Sequence, residues 1–262
     1  MDEGRVLGMI PQVPKVLVLC GDGTTGEWET ARAFTLAKFK VDVRHMNDLI
    51  QEQMTTDHLS KEYSALALPG GFTFGDHLGA SKLYSLKLLY QLKWDLQQFA
   101  ARGGLVLGVT QGFQVLIHMG VFGKEITLAP NLSGKFRDDW MRVVPRGRRC
   151  VWLRGIGSMD LPLRYSQGRV IFSTARRAET LDKMERYGMR CLTFEENTSG
   201  SEEKIAGLCD VTGRIFGLML HPESALVWTQ HPDWMLQRSR ASSPGQGLMI
   251  FENAYTEVMA SR

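Results

Sequence analysis

Short apolar segments alternate with longer amphipathic ones along the first half of the chain. Short, mostly apolar runs are typical of strands buried in a sheet. They lie at residues 16–20, 41–46, Ala65–Leu68 and Leu105–Val109. Between them, residues 29–39 have helical spacing, and residues 82–101 predict one long amphipathic helix that a following glycine pair ends. The alternation predicts an α/β fold, a doubly wound and mostly parallel sheet with helices on both faces.

The pattern becomes less regular in the second half. Short β-like segments follow one another without long helices. They are predicted at residues 126–128, 140–144, 169–172, 190–194 and 215–220. A closing helix is predicted at residues 248–259. Because no repeat and no long linker divides the chain, we expect a single domain over residues 1–262, with residues 1–14 as an N-terminal extension.

Three glycine-rich segments follow predicted strands, at residues 21–26, 69–75 and 108–112. Because sites in parallel sheets lie beyond the carboxyl ends of the strands, we expect these segments to converge on one cleft. The first segment, GDGTTG, matches the GxGxxG pattern of dinucleotide-binding turns. The acidic residue that should end the second strand is missing, since Asp42 begins that strand and Asp48 lies beyond it. We interpret the segment as an ordinary turn of a doubly wound fold.

Composition narrows the class of protein. The net charge is +3 and 44% of the residues are hydrophobic, which is ordinary for a globular protein. The densest basic cluster, residues 142–149, has no interleaved aromatic residues, so we expect no nucleic-acid partner. No apolar stretch reaches the ~18 residues that span a bilayer, and the start of the chain lacks a signal-peptide pattern, so we expect no membrane association.

The cysteines and histidines give no sign of a metal site. Cys20, Cys150, Cys191 and Cys209 are scattered, without a CxxC pair or a metal-binding spacing. The histidines are dispersed as well. The sequence therefore predicts a reduced, cytoplasmic protein that binds no metal.

A nucleophile elbow is the clearest chemical feature. Residues 108–112, GVTQG, follow the fourth predicted strand and precede a helical stretch, which is the Gly-x-nucleophile-x-Gly pattern of a strand-to-helix turn. Much later, the strand predicted at residues 215–220 leads into His221 and Glu223, a base with a carboxylate two residues on. Together they suggest a nucleophile–His–Glu site for acyl transfer. Thr110 holds the nucleophile position, where such a site would want a cysteine.

Several motifs resemble those of one known family. Residues 69–76, PGGFTFGD, are similar to the PGGFSYGD segment of the glutaminase component of phosphoribosylformylglycinamidine synthase, a class I glutamine amidotransferase of purine synthesis. Residues 217–223, GLMLHPE, resemble the family's GLMPHPE. The likeness runs in order along nearly the whole chain. It includes residues 79–80, 108–114, 131–136, 161–163, 168–169, 205–208 and 247–251.

The resemblance implies a flavodoxin-like amidotransferase fold and a thioester mechanism. In the family, the elbow cysteine attacks the side-chain amide of glutamine, a histidine activates it and protonates the leaving ammonia, and a glutamate orients the histidine. His221 and Glu223 match that histidine and glutamate. Backbone N–H groups hold the oxyanion. The matching oxyanion and substrate-binding residues are Gly70, Gly71, Phe72, Gln111 and Gln114.

The resemblance also implies partners. Family members pass ammonia through a tunnel to a large synthetase subunit, which uses ATP and Mg to convert formylglycinamide ribonucleotide to the amidine. Such complexes can also contain a small accessory subunit, which is a further partner to consider. Glutamine is the expected substrate of this chain, and no cofactor is expected in it.

The sequence departs from the family pattern at three places. Thr110 replaces the nucleophilic cysteine, Tyr165 and Gln167 stand where the family often has the His and Glu of an AHGEG-like segment, and residues 25–26, TG, stand where it often has Asn-Cys. A hydroxyl is far less acidic than a thiol, whose pKa is about 8.5. A β-branched residue also tolerates the strained elbow poorly, at a cost on the order of 1–3 kcal/mol.

Three functions stay open from the sequence. The first is a glutaminase-type subunit with weak or absent glutamine hydrolysis. The second is an inactive pseudo-amidotransferase that docks on a synthetase and gates or regulates it. The third is an amide or ester hydrolase that uses Thr110 as its nucleophile.

Overall fold

Strands form the centre of the molecule. The computed structural model describes residues 13–75, 79–197 and 199–261, so most of the extension predicted at residues 1–14 lies outside the described residues. The strands are β1 (Lys15–Cys20), β2 (Lys40–His45), β3 (Ala65–Leu68), β4 (Leu105–Val109), β5 (Ile126–Pro130), β6 (Arg137–Pro145), β7 (Met159–Tyr165), β8 (Gln167–Phe172), β9 (Leu192–Phe194), β10 (Ile205–Cys209) and β11 (Ile215–Leu218). The strands predicted in the first half of the chain are confirmed as β1 to β4.

One mixed sheet has nine strands in the order β2-β1-β3-β4-β11-β10-β9-β6-β7. The strands β2, β1, β3, β4 and β11 are parallel and form what we call the parallel half. The strands β10, β9, β6 and β7 each run antiparallel to the preceding strand in that order and form the antiparallel half. β5 and β8 make a separate antiparallel pair. The predicted α/β fold is confirmed, with an antiparallel extension where the sequence pattern becomes irregular.

Most of the helices lie between strands of the first half of the chain, whereas α7 lies between β8 and β9 and α8 follows the last strand. They are α1 (Glu27–Leu36), α2 (Met46–Gln51), α3 (Thr56–Glu62), α4 (Ala80–Leu86), α5 (Leu96–Ala101), α6 (Gln111–His118), α7 (Arg177–Arg186) and α8 (Leu248–Ala260). From β1 the chain moves outward to β2 and then back across to β3 and β4, so right-handed crossovers put α1 on one face and α3 and α5 on the other. Within the described residues, no helix has both the length and the apolar character needed to cross a bilayer.

The single long helix predicted at residues 82–101 was wrong. The segment consists of α4, a π-helical turn at Lys87–Gln91 and, after a break, α5. Lys93 has a φ of 53°, which ends the helix, and the Asp95 carboxylate accepts the N–H of Gln98 at 2.9 Å as a new N-cap. Between them, Trp94 is buried and donates its indole N–H to the carbonyl of Met54 at 2.8 Å. The apolar periodicity of the segment continues across this break, so the sequence pattern does not predict the break.

The predicted convergence of glycine-rich loops is confirmed. The loops after β1, β3, β4 and β11 all leave the carboxyl edge of the parallel half. Thr24 and Gly71 form an isolated bridge between the first two of these loops. Because the chain reverses its direction across the sheet between β1 and β3, this edge is also the switch point at which α/β sheets bind ligands.

Candidate active site

The elbow holds Thr110, between β4 and α6, in a conformation that L-residues rarely adopt. Its φ is 44° and its ψ is −100°, so the predicted backbone strain is confirmed. The Thr110 N–H donates to the carbonyl of Leu218 at 2.8 Å, which ties the elbow to β11. A Cβ on Gly112 would lie 1.9 Å from the carbonyl oxygen of Leu68. Close backbone packing therefore keeps a β-branched residue in a strained position.

His221 and Glu223 form a hydrogen-bonded dyad just after β11. Nδ1 of His221 and Oε1 of Glu223 are 2.6 Å apart. Glu223 is buried, with 2% exposure, and the His221 N–H donates to the carbonyl of Pro162 at 2.8 Å. A carboxylate on Nδ1 favours the tautomer in which Nε2 accepts a proton. The dyad therefore has the arrangement of a general base and its orienting carboxylate.

Thr110 and His221 meet beside Gly70. A Cβ on Gly70 would lie 2.5 Å from Thr110 Oγ1 and 2.9 Å from His221 Cε1, so glycine is needed there. Nε2 of His221 is buried and has no hydrogen-bond partner in the described part of the chain, the Thr110 hydroxyl included. An unpaired buried polar atom costs about 1–3 kcal/mol, and a catalytic role is one reason to retain it. The base thus lies next to the elbow without being hydrogen-bonded to its hydroxyl.

The loop after β3 has part of the geometry of an oxyanion loop. Gly71 has a φ of 145°, and a Cβ there would lie 2.6 Å from the Thr25 nitrogen. The N–H of Phe72 donates to the carbonyl of Gly23 at 2.9 Å, so this predicted oxyanion donor is already engaged. Gln111 begins α6, where the first N–H groups have no partner within the helix. The backbone N–H groups of Gly71 and Gln111 therefore stay the stronger candidates.

The Gln111 side chain fixes the position of that loop. Its Oε1 accepts the Thr73 N–H at 2.9 Å and its Nε2 donates to the Thr73 carbonyl at 3.0 Å, both in buried surroundings. The Thr73 hydroxyl lies 2.7 Å from the hydroxyl of Thr24, which accepts the Gly21 N–H at 2.9 Å. One chain of hydrogen bonds thus links the loops after β1, β3 and β4. Sequence spacing suggests only a backbone role for Gln111, because contacts between distant loops leave no local signal.

Packing explains the glycines of the GxGxxG segment. A Cβ on Gly23, whose φ is 97°, would lie 2.6 Å from the Phe72 carbonyl oxygen, and a Cβ on Gly26 would lie 3.2 Å from that of Gly70. The Gly26 N–H also donates to the Gly70 carbonyl at 3.1 Å. This turn contacts protein backbone where a dinucleotide site would present its N–H groups to phosphate. The contacts agree with its interpretation as an ordinary turn.

The predicted site residues all line one cleft with a volume of about 150 Å³. They are Gly70, Gly71, Phe72, Thr110, Gln111, Gln114, His221 and Glu223. Three positions that depart from the family pattern, Thr25, Gly26 and Tyr165, line it too. Burial raises the pKa of Tyr165 to about 12, so its phenol stays protonated at neutral pH. These departures therefore lie at the cleft that also contains the elbow.

Further residues line the cleft that the sequence analysis did not select as site residues. They are Glu29, Phe136, Arg164, Ser166 and Ser224. Glu29 and Arg164 are exposed and bring opposite charges to the cleft. Gln167 takes part through its backbone, since its carbonyl accepts the Gln114 side-chain N–H at 2.5 Å. Isolated charged residues on a helix and a strand resemble any solvated surface, so local pattern could not distinguish them.

Three of the four cysteines lie together, although their spacing in the sequence does not predict it. The sulfur atoms of Cys150, Cys191 and Cys209 lie within 4.8 Å of one another, and none of these residues lines the cleft. They are far apart in sequence, but they lie near the ends of β6, β9 and β10, which are neighbours in the antiparallel half. Sequence spacing missed the group because long-range strand pairing creates it.

Comparison with known proteins agrees with the geometry. The family model for a CobB/CobQ-like glutamine amidotransferase domain matches residues 13–256. The phosphoribosylformylglycinamidine synthase subunit PurQ of Methanococcus maripaludis is 33% identical over 270 residues, which cover 94% of this chain and 98% of that protein. The same subunit of Dehalococcoides mccartyi is 33% identical over 254 residues, which cover 92% and 96%.

Solved structures show the same fold. A chain in the structure of PurLQS from Thermotoga maritima has a TM-score of 0.72 at 22% identity, covering 93% of this chain and 98% of that one. A glutamine amidotransferase from Thermotoga maritima has a TM-score of 0.54 at 14% identity, covering 95% and 97%. The chain therefore belongs to the CobB/CobQ-like glutamine amidotransferases and, among them, to the family of PurQ subunits of phosphoribosylformylglycinamidine synthase.

Proposed function

We propose that this chain is the glutamine-binding subunit of a phosphoribosylformylglycinamidine synthase, and that its own hydrolysis of glutamine is slow or absent because Thr110 occupies the nucleophile position. Its similarity to PurQ subunits over more than nine-tenths of its length supports the assignment to this synthase. The geometry of the elbow supports the proposal that glutamine hydrolysis is slow or absent. A strained threonine lies beside a buried His–Glu dyad whose Nε2 has no partner among the described residues.

The chemistry of the dyad explains why hydrolysis should be slow. A neutral imidazole readily deprotonates a thiol with a pKa of about 8.5, whereas an alcohol needs a well-aligned base that removes its proton as it attacks. Nε2 of His221 makes no hydrogen bond to the Thr110 hydroxyl, which supports slow hydrolysis. The same observation argues against a general amide or ester hydrolase with Thr110 as nucleophile. A threonine at the elbow is better explained as a residue that fills the space of a thiol.

The cleft has the polarity that free glutamine requires. Glutamine carries an α-ammonium and an α-carboxylate group, and Glu29 and Arg164 supply one charge of each sign at the cleft. An amide directed towards Thr110 would then lie near the backbone N–H groups of Gly71 and Gln111. Burial of the Glu223 carboxylate and of Nε2 of His221 excludes water from the dyad. These features support binding of glutamine even where its cleavage is impaired.

The partner follows from the relatives. PurQ proteins are named as subunits of the synthase, and PurLQS of Thermotoga maritima contains a chain of this fold. We propose that a large synthetase subunit, which carries the ATP and Mg site, docks on this chain in the cytoplasm, and that a small accessory subunit completes the complex. In that complex, this chain either delivers ammonia slowly or gates an ammonia supply of another origin.

The test is ammonia release from glutamine by the wild type, Thr110→Cys and Thr110→Ser, each assayed with its co-purifying synthetase subunit. We expect little release from the wild type and Thr110→Ser, and a gain on the order of 10³-fold or more in Thr110→Cys. Ammonium chloride in place of glutamine checks that each synthetase is competent. Release by the wild type at a rate near that of Thr110→Cys would overturn the proposal, and so would a Thr110→Cys complex that is competent with ammonium but inactive with glutamine.

A further inference from the structure

We infer that Cys150, Cys191 and Cys209 form a binding site for a soft, thiophilic metal ion of the Cu(I) or Zn(II) type. Their sulfur atoms lie within 4.8 Å of one another. Metal–sulfur bonds of about 2.3 Å in a three-coordinate site place the sulfur atoms about 4 Å apart. Small side-chain movements therefore bring the three sulfur atoms to bonding distance of one ion. The group lies in the antiparallel half of the sheet, outside the glutamine cleft.

Backbone hydrogen bonds hold the three cysteines together without a metal. The carbonyl of Met189 accepts the N–H groups of both Cys191, at 3.0 Å, and Cys209, at 2.9 Å. The segment that leads to Cys150 is fixed to the same place, because the Arg146 N–H donates to the Cys191 carbonyl at 2.7 Å. A site that the fold already organises loses little conformational freedom when an ion binds. The arrangement is thus more than a chance proximity of flexible side chains.

The donors select a soft ion. Cys150, Cys191 and Cys209 are buried, with 3%, 0% and 0% exposure, and they offer sulfur only. Asp210 is next in sequence, but its carboxylate already accepts the N–H groups of Thr212, Arg214 and Ile215 at 2.9–3.1 Å. Thiolate sets bind Cu(I) or zinc in preference to Mg²⁺, Ca²⁺ or Mn²⁺. Because structural zinc sites hold four ligands, a set of three sulfurs favours Cu(I).

An exposed loop next to Cys150 offers a route by which the ion can reach the thiols. Residues 146–149, immediately before Cys150, are exposed. This loop has no regular helix or strand, and its last residue, Arg149, packs against Gly188 and Gly213. Opening of a short exposed loop costs less than opening of the sheet, so an ion can reach the thiols without global unfolding. Binding would release the thiol protons to solvent and would stabilise the antiparallel half.

The test uses the purified full chain, reduced and freed of metal. Cu(I) and Zn(II) are titrated separately against a competing chelator, and thiolate-to-Cu(I) charge-transfer absorbance and the melting temperature are followed. We expect one ion per chain and a rise in melting temperature. Cys150→Ala, Cys191→Ala and Cys209→Ala should each weaken binding by at least about 100-fold, since even loss of a group that only supports a ligand costs 10- to 100-fold. Cys20→Ala, which removes the cysteine outside the group, should bind as the wild type does.

Mass spectrometry under non-denaturing conditions gives a second readout that needs no variant. The wild-type chain should gain the mass of one ion and lose the thiol protons that the ion displaces. Binding of Cu(I) alone, or of Zn(II) alone, supports the site and identifies the ion. Failure of both ions to bind at equimolar ratio would overturn the inference. Binding that persists in all three cluster variants, or that disappears in Cys20→Ala, would also overturn it.

Discussion

The two halves of the sheet hold their reactive groups in opposite ways. In the parallel half, a histidine and its carboxylate face a cleft, but the elbow beside them carries a hydroxyl. In the antiparallel half, three thiols are buried together, but within the described residues no histidine, aspartate or glutamate belongs to their group. The chain therefore has a base without a thiol in one place and thiols without a base in another.

The contrast shows that reactivity depends on surroundings more than on residue type. Burial raises the pKa of Cys150 and Cys191 well above the usual thiol range. Hydrogen bonds from these two thiols lower the pKa of Cys209 below the usual thiol range, but its sulfur is still inaccessible. A thiol at the elbow would instead lie in a cleft beside a base. Substitutions in each half test this difference.

The largest effect should come from removing the base in a chain that has the thiol. In the Thr110→Cys background, His221→Asn should lower glutamine hydrolysis by about 10³-fold or more, and Glu223→Gln by about 10²- to 10⁴-fold. In the wild-type background, the same substitutions should change the rate little, because the elbow hydroxyl is not engaged with the base. Ammonia release by the synthetase complex measures both. Equal losses in the two backgrounds would mean that Thr110 already works as a nucleophile.

The next effect concerns thiol reactivity. In Thr110→Cys at neutral pH, iodoacetamide should alkylate the new thiol at least about 10-fold faster than Cys150, Cys191 or Cys209, because it combines access with a neighbouring base. Peptide mass spectrometry after timed quenching gives the rates. Adding His221→Asn should remove most of the advantage while leaving the buried cysteines unchanged. A new thiol as slow as the buried ones would contradict the assigned difference between the two halves.

A smaller effect should follow from Gln111→Ala, which removes both hydrogen bonds to Thr73. We expect the free energy of unfolding to fall by about 2 kcal/mol, because a buried N–H and a buried carbonyl lose their partner. Gln97→Ala is the matched control, since that exposed glutamine makes one long bond, 3.4 Å, to the Val121 carbonyl. Urea unfolding compares the two. In the Thr110→Cys background, Gln111→Ala should also lower kcat through a loosened oxyanion loop.

The smallest effect should appear in acid, at the pairing of β6 with β7. Nε and Nη2 of Arg142 donate to the two carboxylate oxygens of Asp160, at 2.9 and 2.7 Å. These hydrogen bonds hold the pKa of Asp160 below its usual value. The pKa of an aspartate in the unfolded chain is about 3.9, and the pKa of Asp160 is lower in the folded chain. Its carboxylate therefore stabilises the fold at pH values above about 3.9, and this contribution is lost as the pH falls through the pKa of the folded chain. Because Arg142 is more than half exposed, we expect only about 0.5 kcal/mol.

Asp160→Asn should therefore be less stable than the wild type at pH 6 and equal to it near pH 2, as measured by urea unfolding at both values. Asp138→Asn is the control, because Asp138 pairs with Arg164 in a more exposed position. A difference for Asp160→Asn that grows as the pH falls would contradict the assigned sign.

Sequence pattern predicted the parallel half well because its signals are local. Each of β1 to β4 is a continuous apolar or alternating run. The elbow has a glycine on each side, of which Gly112 is required by the close approach of the Leu68 backbone. The dyad was also visible, since His221 and Glu223 are two residues apart. The break at Lys93 could not be predicted, because the apolar spacing of the segment continues across it. Its cause is the burial of Trp94 against Met54, a contact between distant segments.

The antiparallel half could not be derived in the same way. Its strand order, β10-β9-β6-β7, depends on pairing between segments that are far apart in sequence. The thiol group is a product of that order, and so sequence spacing did not connect Cys150, Cys191 and Cys209. The Gln111 contact to Thr73 belongs to the same class, because it joins two loops that only the sheet brings together. Contacts between segments that are distant in sequence leave no local pattern, so they cannot be predicted from hydrophobic periodicity.

Trapping the acyl intermediate would show whether the elbow residue alone decides if glutamine is cleaved. The wild-type and Thr110→Cys complexes are mixed with glutamine, quenched in acid within one turnover and examined by intact-mass and peptide mass spectrometry. We expect a chain that gains one glutamyl group at position 110 in Thr110→Cys and an unmodified chain in the wild type. A glutamyl ester on Thr110 in the wild type, or no thioester in a folded Thr110→Cys complex that still uses ammonium, would contradict this expectation.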